Sequence, residues 1–198
     1  MHQNKQSLND FLTISQNEFD HLCSTVSENQ YDQAIRLIQE SRDNGGRVHI
    51  TGIGKPAHVA VYIASLLSST GTPCYVLHGT EAVHGSSGQV IPGDVVICIS
   101  NSGETAELKA TVTALKNNGA KIIGVTGNMD SWLAKESDTC LFAGVQQEGG
   151  ALNRAPRTSI LAEILILQGL SILLQNAADI TPEQYVRWHP GGTLGKLK

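Results

Sequence analysis

Six residues, Ser100-Asn101-Ser102-Gly103-Glu104-Thr105, stand between the apolar run Val95–Ile99 and a helical repeat of apolar residues beginning at Ala106. A strand that ends in a tight polar loop and enters a helix leaves a cup of backbone N–H groups without helical acceptors. Three hydroxyls ring this cup, and the combination suits a phosphate. The same residues also suit a plainly capped helix start, with Ser and Thr serving only their own backbone. Further groups with chemical capacity lie in four other connections. Gly52-Ile53-Gly54-Lys55 offers a tight turn and a cation for a small anionic substrate, unless Lys55 is a solvated loop lysine. His78 to Gly88 carries Glu81 and His84, three apart, which share a face if that stretch is helical. They could begin a metal site, but no clear third ligand accompanies them. Gly144 to Pro156 holds Glu148, Asn153 and Arg154, and the tail holds His189 between Trp188 and Pro190-Gly191-Gly192. That tail is either a plain surface segment or an arm reaching over a site.

The elements that must position these loops follow from periodicity. Residues 47–51, 73–77, 95–99, 121–125 and 138–142 read as strands, and Val95-Val-Ile-Cys-Ile99 is continuously apolar, as in a strand buried on both faces. Helical repeats alternate with them. The expected fold is α/β, a three-layer αβα sandwich with a five-stranded parallel sheet, as in flavodoxin-like or Rossmann-like proteins. Ligands of such sheets sit beyond the carboxyl ends of the strands, and every loop singled out above except the tail lies at such an end. A helical arm over 1–44, in two pieces, is expected ahead of a core over 45–178. A short helix opened by Thr181-Pro182-Glu183-Gln184 and the tail, over 179–198, complete a single domain of residues 1–198. A long helix over about 157–177 carries apolar residues on most of its circumference, which suits a subunit interface.

Composition narrows the function classes. The chain has 198 residues, 16% of them charged, with a formal net charge of −4 and no basic run, so nucleic acid and membrane are not expected partners. The apolar run 160–174 is interrupted by Glu163, Gln168 and Gly169 and reads as too short to span a bilayer. Cys23, Cys74, Cys98 and Cys140 have no metal-ligand spacing and read as buried thiols of a reducing compartment. With no signal-peptide pattern at the N-terminus, a cytoplasmic location is expected. GxGxxG fails at Pro56-Ala57 and the Walker spacing is absent, which argues against a dinucleotide or ATP site.

Taken together, ITGIGKPAHVA, STGTPCYVLHGTEAVHG, ISNSGETAEL, VTGN and WHPGGTLGK resemble the sugar-isomerase (SIS) domain family. Within it, the resemblance is to the D-arabinose 5-phosphate isomerases of lipopolysaccharide and capsule synthesis, over about residues 30 to 198. It implies interconversion of D-ribulose 5-phosphate and D-arabinose 5-phosphate on a five-stranded αβα domain. It also implies no cofactor and a homotetramer with sites shared between subunits. Carried onto this sequence, the family's catalytic positions fall on Lys55, His84, Glu107, Glu148 and His189. Its phosphate-binding hydroxyls fall on Ser100, Ser102 and Thr105, and Gly54, Glu81 and Asn101 complete the expected substrate contacts. Glu107 comes from the resemblance alone. The chain departs from the family at Pro56-Ala57, at Ser86 and along Glu148 to Arg157, where Arg154 and Arg157 could retune substrate choice. It also stops where most relatives continue into paired nucleotide-sensing modules.

Aldose–ketose isomerisation moves a proton between C1 and C2 through a cis-enediolate, and needs a base near both carbons plus acid–base help at the oxygens. Under the resemblance, Glu148 is the expected base and His189 the acid–base group at the sugar oxygens. Lys55 and His84 would position substrate and neutralise oxyanion charge, and Glu107 would orient hydroxyls or Lys55. The rivals are an isomerase of a hexulose 6-phosphate or heptulose 7-phosphate and a non-catalytic phosphosugar sensor.

Overall fold

The computed structural model describes residues 2–191, with side chains from residue 7 onward. The end of the tail motif, from Gly192, lies outside the described residues. Two helices, α1 (His2–Ser24) and α2 (Glu28–Asp43), precede β1 (Val48–Gly52) and α3 (Lys55–Ser69). β2 (Cys74–Val76), α4 (Gly79–Ala82) and a 3-10 turn at Ser86–Gln89 follow. Then come β3 (Val95–Ile99), α5 (Ala106–Asn117), β4 (Lys121–Thr126), α6 (Trp132–Glu136) and β5 (Thr139–Phe142). α7 (Thr158–Ala177) and α8 (Pro182–Trp188) follow β5. The expected αβα sandwich is present, with all five strands parallel in the order β2-β1-β3-β4-β5.

β3 shows why the sheet needs cover on both sides. All five of its residues are buried, and successive side chains point to opposite faces. Val95, Ile97 and Ile99 join the core made by α2, α3 and α7. Val96 and Cys98 join a second core with Leu108, Val112 and Leu115 of α5 and Leu133 of α6. The register places Gly52, Ile99 and Val125 side by side, so the carboxyl ends of the three central strands form one edge.

α7 runs against α3, α2 and α1. Its buried side is Ser159, Ala162, Glu163, Ile166, Leu170 and Leu174, a helical stripe. Gly169 lets α2 approach closely: a Cβ there would lie 2.8 Å from the Tyr31 hydroxyl, which donates to the Ile166 carbonyl at 2.8 Å. Burial pushes the Tyr31 pKa up to about 12. Two expectations change here. α7 has 20 residues, and by length and composition it is long and apolar enough to cross a membrane, although half of its most apolar window is buried within the fold. Three cysteines are buried thiols as expected, but Cys23, next to buried Leu22 on α1, is exposed.

One buried polar cluster anchors the amino ends of β1 and β3. Asp94, fully buried, accepts from Arg47 N at 2.8 Å and Ile91 N at 3.0 Å, and pairs with His49 Nε2 at 3.2 Å. Burial holds the His49 imidazole below its ordinary pKa, against the opposing pull of Asp94. The neutral ring therefore contributes stability in full above its unfolded value of about 6.5, and loses it as pH falls toward the lower folded value. Asp94→Ala strands three donors, and urea unfolding should show a loss of about 3 kcal/mol. A loss under about 1 kcal/mol would mean the cluster does not anchor the strands.

Candidate functional site

The helices that follow β1 and β3 leave toward opposite faces: α3 joins one core and α5 the other. The chain thus parts at the carboxyl edge between these two strands, and parallel sheets bind ligands in such a crevice. A cleft of about 300 Å³ lies there, walled by Ile53, Pro56, Ser100–Ser102, Thr105, Glu148, Arg154, Ser159 and Glu163.

The serine loop is rigidly held. Gly103 takes φ +66°, and a Cβ there would collide with Ser131, so only glycine fits. Its N–H bonds Ser100 Oγ at 3.1 Å, and its carbonyl accepts from Leu133 N at 3.0 Å. Glu104 links the loop to α6 by accepting from Trp132 N at 2.7 Å and from Lys109 Nζ at 2.5 Å. Asn101 is anchored through its carbonyl, which accepts from Gly127 N at 2.9 Å and Thr126 Oγ1 at 3.1 Å. Ser100 Oγ and Thr105 Oγ1 meet at 3.1 Å, and Ser102 Oγ accepts from Glu104 N at 3.2 Å. The hydroxyls therefore serve local backbone in part, in line with the plainer reading of the sequence. Thr105, however, caps α5 without a side-chain bond to its amides. The first N–H groups of α5 stay open to an anion.

Glu148 stands across the cleft, at the start of α7. Its Oε2 accepts from Arg157 N at 2.6 Å, Ser159 N at 3.2 Å and Thr158 Oγ1 at 3.3 Å. Burial alone would raise its pKa, but hydrogen bonds from Ser159, Arg157 and Thr158 outweigh burial and hold it below the usual carboxylate value. Glu148 is therefore ionised at neutral pH, and its three hydrogen bonds named above all fall on Oε2. Arg154 lines the cleft. Arg157 does not: it faces α1 beside Gly149 and Gly150, so only one of the two arginines borders the ligand space.

The remaining expected residues are dispersed. Gly54 takes φ +67° just ahead of α3, and exposed Lys55 follows it between the cleft residues Ile53 and Pro56 without itself lining the cleft. Glu107, exposed in the first turn of α5, does not line it. Glu81 lies on α4, where its N–H bonds His78 Nδ1 at 3.3 Å, and exposed His84 follows that helix. A neighbouring cleft of about 360 Å³ contains Gly54, His58 and His78. Among the described residues no three His, Cys, Asp or Glu side chains gather as a metal site.

His189 is not brought to the cleft within one chain. α8 packs against the far end of α3, where a Cβ on Gly71 would meet Ile180 and lie 3.5 Å from Trp188. α3 begins at the cleft and its 15 residues span about 22 Å. His189 sits beyond α8, stacked on Tyr185 at 4.0 Å with Nδ1 2.7 Å from the Tyr185 carbonyl oxygen. A wider surface cleft, about 750 Å³, lies at this end between Arg42, Gly71 and Trp188, away from the strand carboxyl ends.

Glu163 belongs to the cleft, and nothing in the sequence singles it out as functional. It is fully buried, and neither carboxyl oxygen has a hydrogen-bond partner among the described residues. Its only sequence signal is an acid inside an apolar helical run.

A parallel sandwich with a hydroxyl-ringed anion cup at its switch point is a domain suited to small phosphorylated ligands. The chain belongs to the SIS domain family, whose profile matches residues 42–168. It is 38% identical over 176 residues to arabinose 5-phosphate isomerase KpsF of Escherichia coli O6:H1, covering 89% of this chain and 53% of that protein. It is 42% identical over 165 residues to arabinose 5-phosphate isomerase KdsD of Pseudomonas aeruginosa, covering 83% and 51%. The chain thus spans about half the length of these relatives. An E. coli CFT073 protein solved in complex with arabinose 5-phosphate superimposes with a TM-score of 0.82 at 33% identity, over 96% of each chain.

If the serine loop holds phosphate, Ser102→Asp places like charge in the cup. Phosphosugar affinity, read by calorimetry on a variant that still folds, should fall at least about tenfold. An unchanged dissociation constant would remove the phosphate from this loop.

Proposed function

We propose that the chain interconverts D-ribulose 5-phosphate and D-arabinose 5-phosphate, in service of lipopolysaccharide or capsule sugar synthesis. The observation that carries this reading is the pairing of two features across one cleft. The anion cup at α5 is on one side, and an ionised glutamate is on the other. The relatives' activities and the arabinose 5-phosphate complex of the E. coli protein support the choice of sugar.

In this reading the phosphate rests on Ser100, Ser102, Thr105 and the first amides of α5, which brings C1 and C2 under Glu148. Oε1 takes the proton from one carbon and returns it to the other, while the donors on Oε2 keep the carboxylate aimed and ionised. Those donors also make it a weaker base, so cationic help at the developing enediolate oxygen is needed. Lys55, beside the cleft, supplies it, with His84 positioning the substrate and Glu107 orienting hydroxyls or Lys55. Gly54, Glu81 and Asn101 shape the surrounding turns. No cofactor is required, because the proton transfer needs only these groups.

A second copy supplies His189. Its distance from the cleft of its own chain supports shared sites, as does the apolar surface left on α3 and α7. Val61, Tyr62, Leu161, Leu165, Ile172 and Leu173 are all exposed there, and a homotetramer would cover them. The proposed assembly acts in the cytoplasm, free of nucleic acid and membrane. Arg154 in the cleft favours one second reading, the same chemistry on a longer phosphosugar.

Incubation with a panel of ketose phosphates in deuterated water should give deuterium at C2 of the aldose product. Glu148→Gln should abolish this exchange while phosphosugar affinity stays within about threefold, since the amide keeps the shape but cannot accept the proton. Mixed oligomers of Glu148→Gln and His189→Asn subunits should regain activity that neither variant has alone. Wild-type protein that binds the panel without exchange would make it a sensor, and light scattering showing only monomer would rule out shared sites.

A further inference from the structure

Beside the serine loop and the Glu148 loop, the cleft has an apolar stretch that contains one buried acid. Ile53, Ile99, Pro156 and Ile160 line it together with Glu163. Glu163 is inaccessible to solvent, yet both its oxygens lack a partner among the described residues. Buried polar groups are otherwise almost always satisfied, and leaving one unpaired costs stability. Ser159, one helical turn earlier on the same face of α7, also lines the cleft. The unpaired carboxyl thus borders the cleft from just beneath its surface, where a small side-chain shift would bring it to a ligand hydroxyl.

We propose that Glu163 is a further substrate-contacting, specificity-determining residue, exchanging hydrogen bonds with a hydroxyl of an open-chain sugar phosphate held between the serine loop and Glu148. This rests on the sugar-phosphate reading above and adds to it a group outside the expected set of site residues. An open-chain pentose phosphate fixed at its phosphate and at C1–C2 leaves its middle hydroxyls over this stretch. A buried polar group set beside apolar neighbours discriminates strongly, because a ligand lacking the matching hydroxyl leaves it unpaired.

The state of the carboxyl fits this role. Burial, with the Glu148 charge as a second cause, pushes its pKa up to about 8. Charged or titratable groups on the surrounding elements include Glu148, Arg154 and Arg157 of the loop, Lys55, His58 and Tyr62 of α3, Glu18 of α1 and Tyr31 of α2. Of these, Glu148 alone contributes to the shift. Two carboxyls in one cleft are driven apart: the one with donors ionises and the one without keeps its proton. At neutral pH Glu163 can therefore both donate and accept, and it adds no negative charge beside the phosphate. The folded state holds a proton that the unfolded chain has released, so this group makes the fold progressively less stable as pH rises from about 4.5 to about 8. A position kept at that cost is more readily explained by function than by packing.

The test measures binding of D-arabinose 5-phosphate, D-ribulose 5-phosphate and n-pentyl phosphate, which keeps the phosphate and chain length but has no hydroxyls. Glu163→Leu should weaken both sugar phosphates at least tenfold, leave n-pentyl phosphate within about twofold, and raise Tm at pH 8. Glu163→Gln, which still donates and accepts, should keep sugar affinity within about threefold at pH 7. It should also abolish a decline in wild-type sugar affinity between pH 7 and 9. Sugar affinity unchanged in Glu163→Leu, or the same alkaline decline in wild type and Glu163→Gln, would overturn the proposal and leave the isomerase reading standing. A wild-type protein that binds n-pentyl phosphate and neither sugar better would overturn both.

Discussion

The constraint on which the structure depends is that β1 and β3 are neighbours in the sheet but send their following helices to opposite faces. That divergence opens the cleft and fixes which loops face each other. It places the β1 turn with Gly54 and Lys55 beside the serine loop, and leaves room for the loop after β5 to fold across both. The buried Asp94 cluster holds the same two strands together at their other end. The sheet is thus clamped at one end of these strands and open at the other. Side-chain alternation along β3 makes the divergence possible, since each face of that strand finds its own apolar partner.

α7 ties core and site into one element. Its first turn donates to Glu148 and so sets the charge of the proposed base, while its middle packs against α2 and α3. One side of the helix therefore carries both the core residues Ile166 and Leu170 and the unpaired Glu163. Under the proposed role of Glu163, stability and chemistry compete along it. The opposite side remains apolar and exposed, and the proposed oligomer would cover it.

Much of this is legible in the sequence because parallel, doubly covered strands leave an unusually clear pattern. The apolar run Val95–Ile99 coincides with β3 to the residue, and the strand–loop–helix switch at Ser100 to Thr105 follows from a change of period. The capping box at Thr181 and Gln184 is equally local and is present. What depends on three-dimensional packing is not legible. Nothing in the spacing of Arg154 and Arg157 says that one borders the cleft and the other turns to α1. Glu163 reads as an interruption in an apolar run until the cleft shows what it faces. His189, next to motifs that suggest chemistry, lies away from the cleft of its own chain, which a linear sequence does not reveal. Cys23 reads as buried by analogy with three strand cysteines, although a helix has an outer side.

The most direct measurement is a crystal structure of the protein with D-arabinose 5-phosphate bound. The phosphate oxygens should lie about 3 Å from the hydroxyls of Ser100, Ser102 or Thr105 and from the first amides of α5. C1 and C2 should approach Glu148 Oε1 to about 3–3.5 Å. A phosphate seated instead in the far cleft beside Arg42, with the serine loop holding only water, would contradict the assignment of the switch-point crevice as the site.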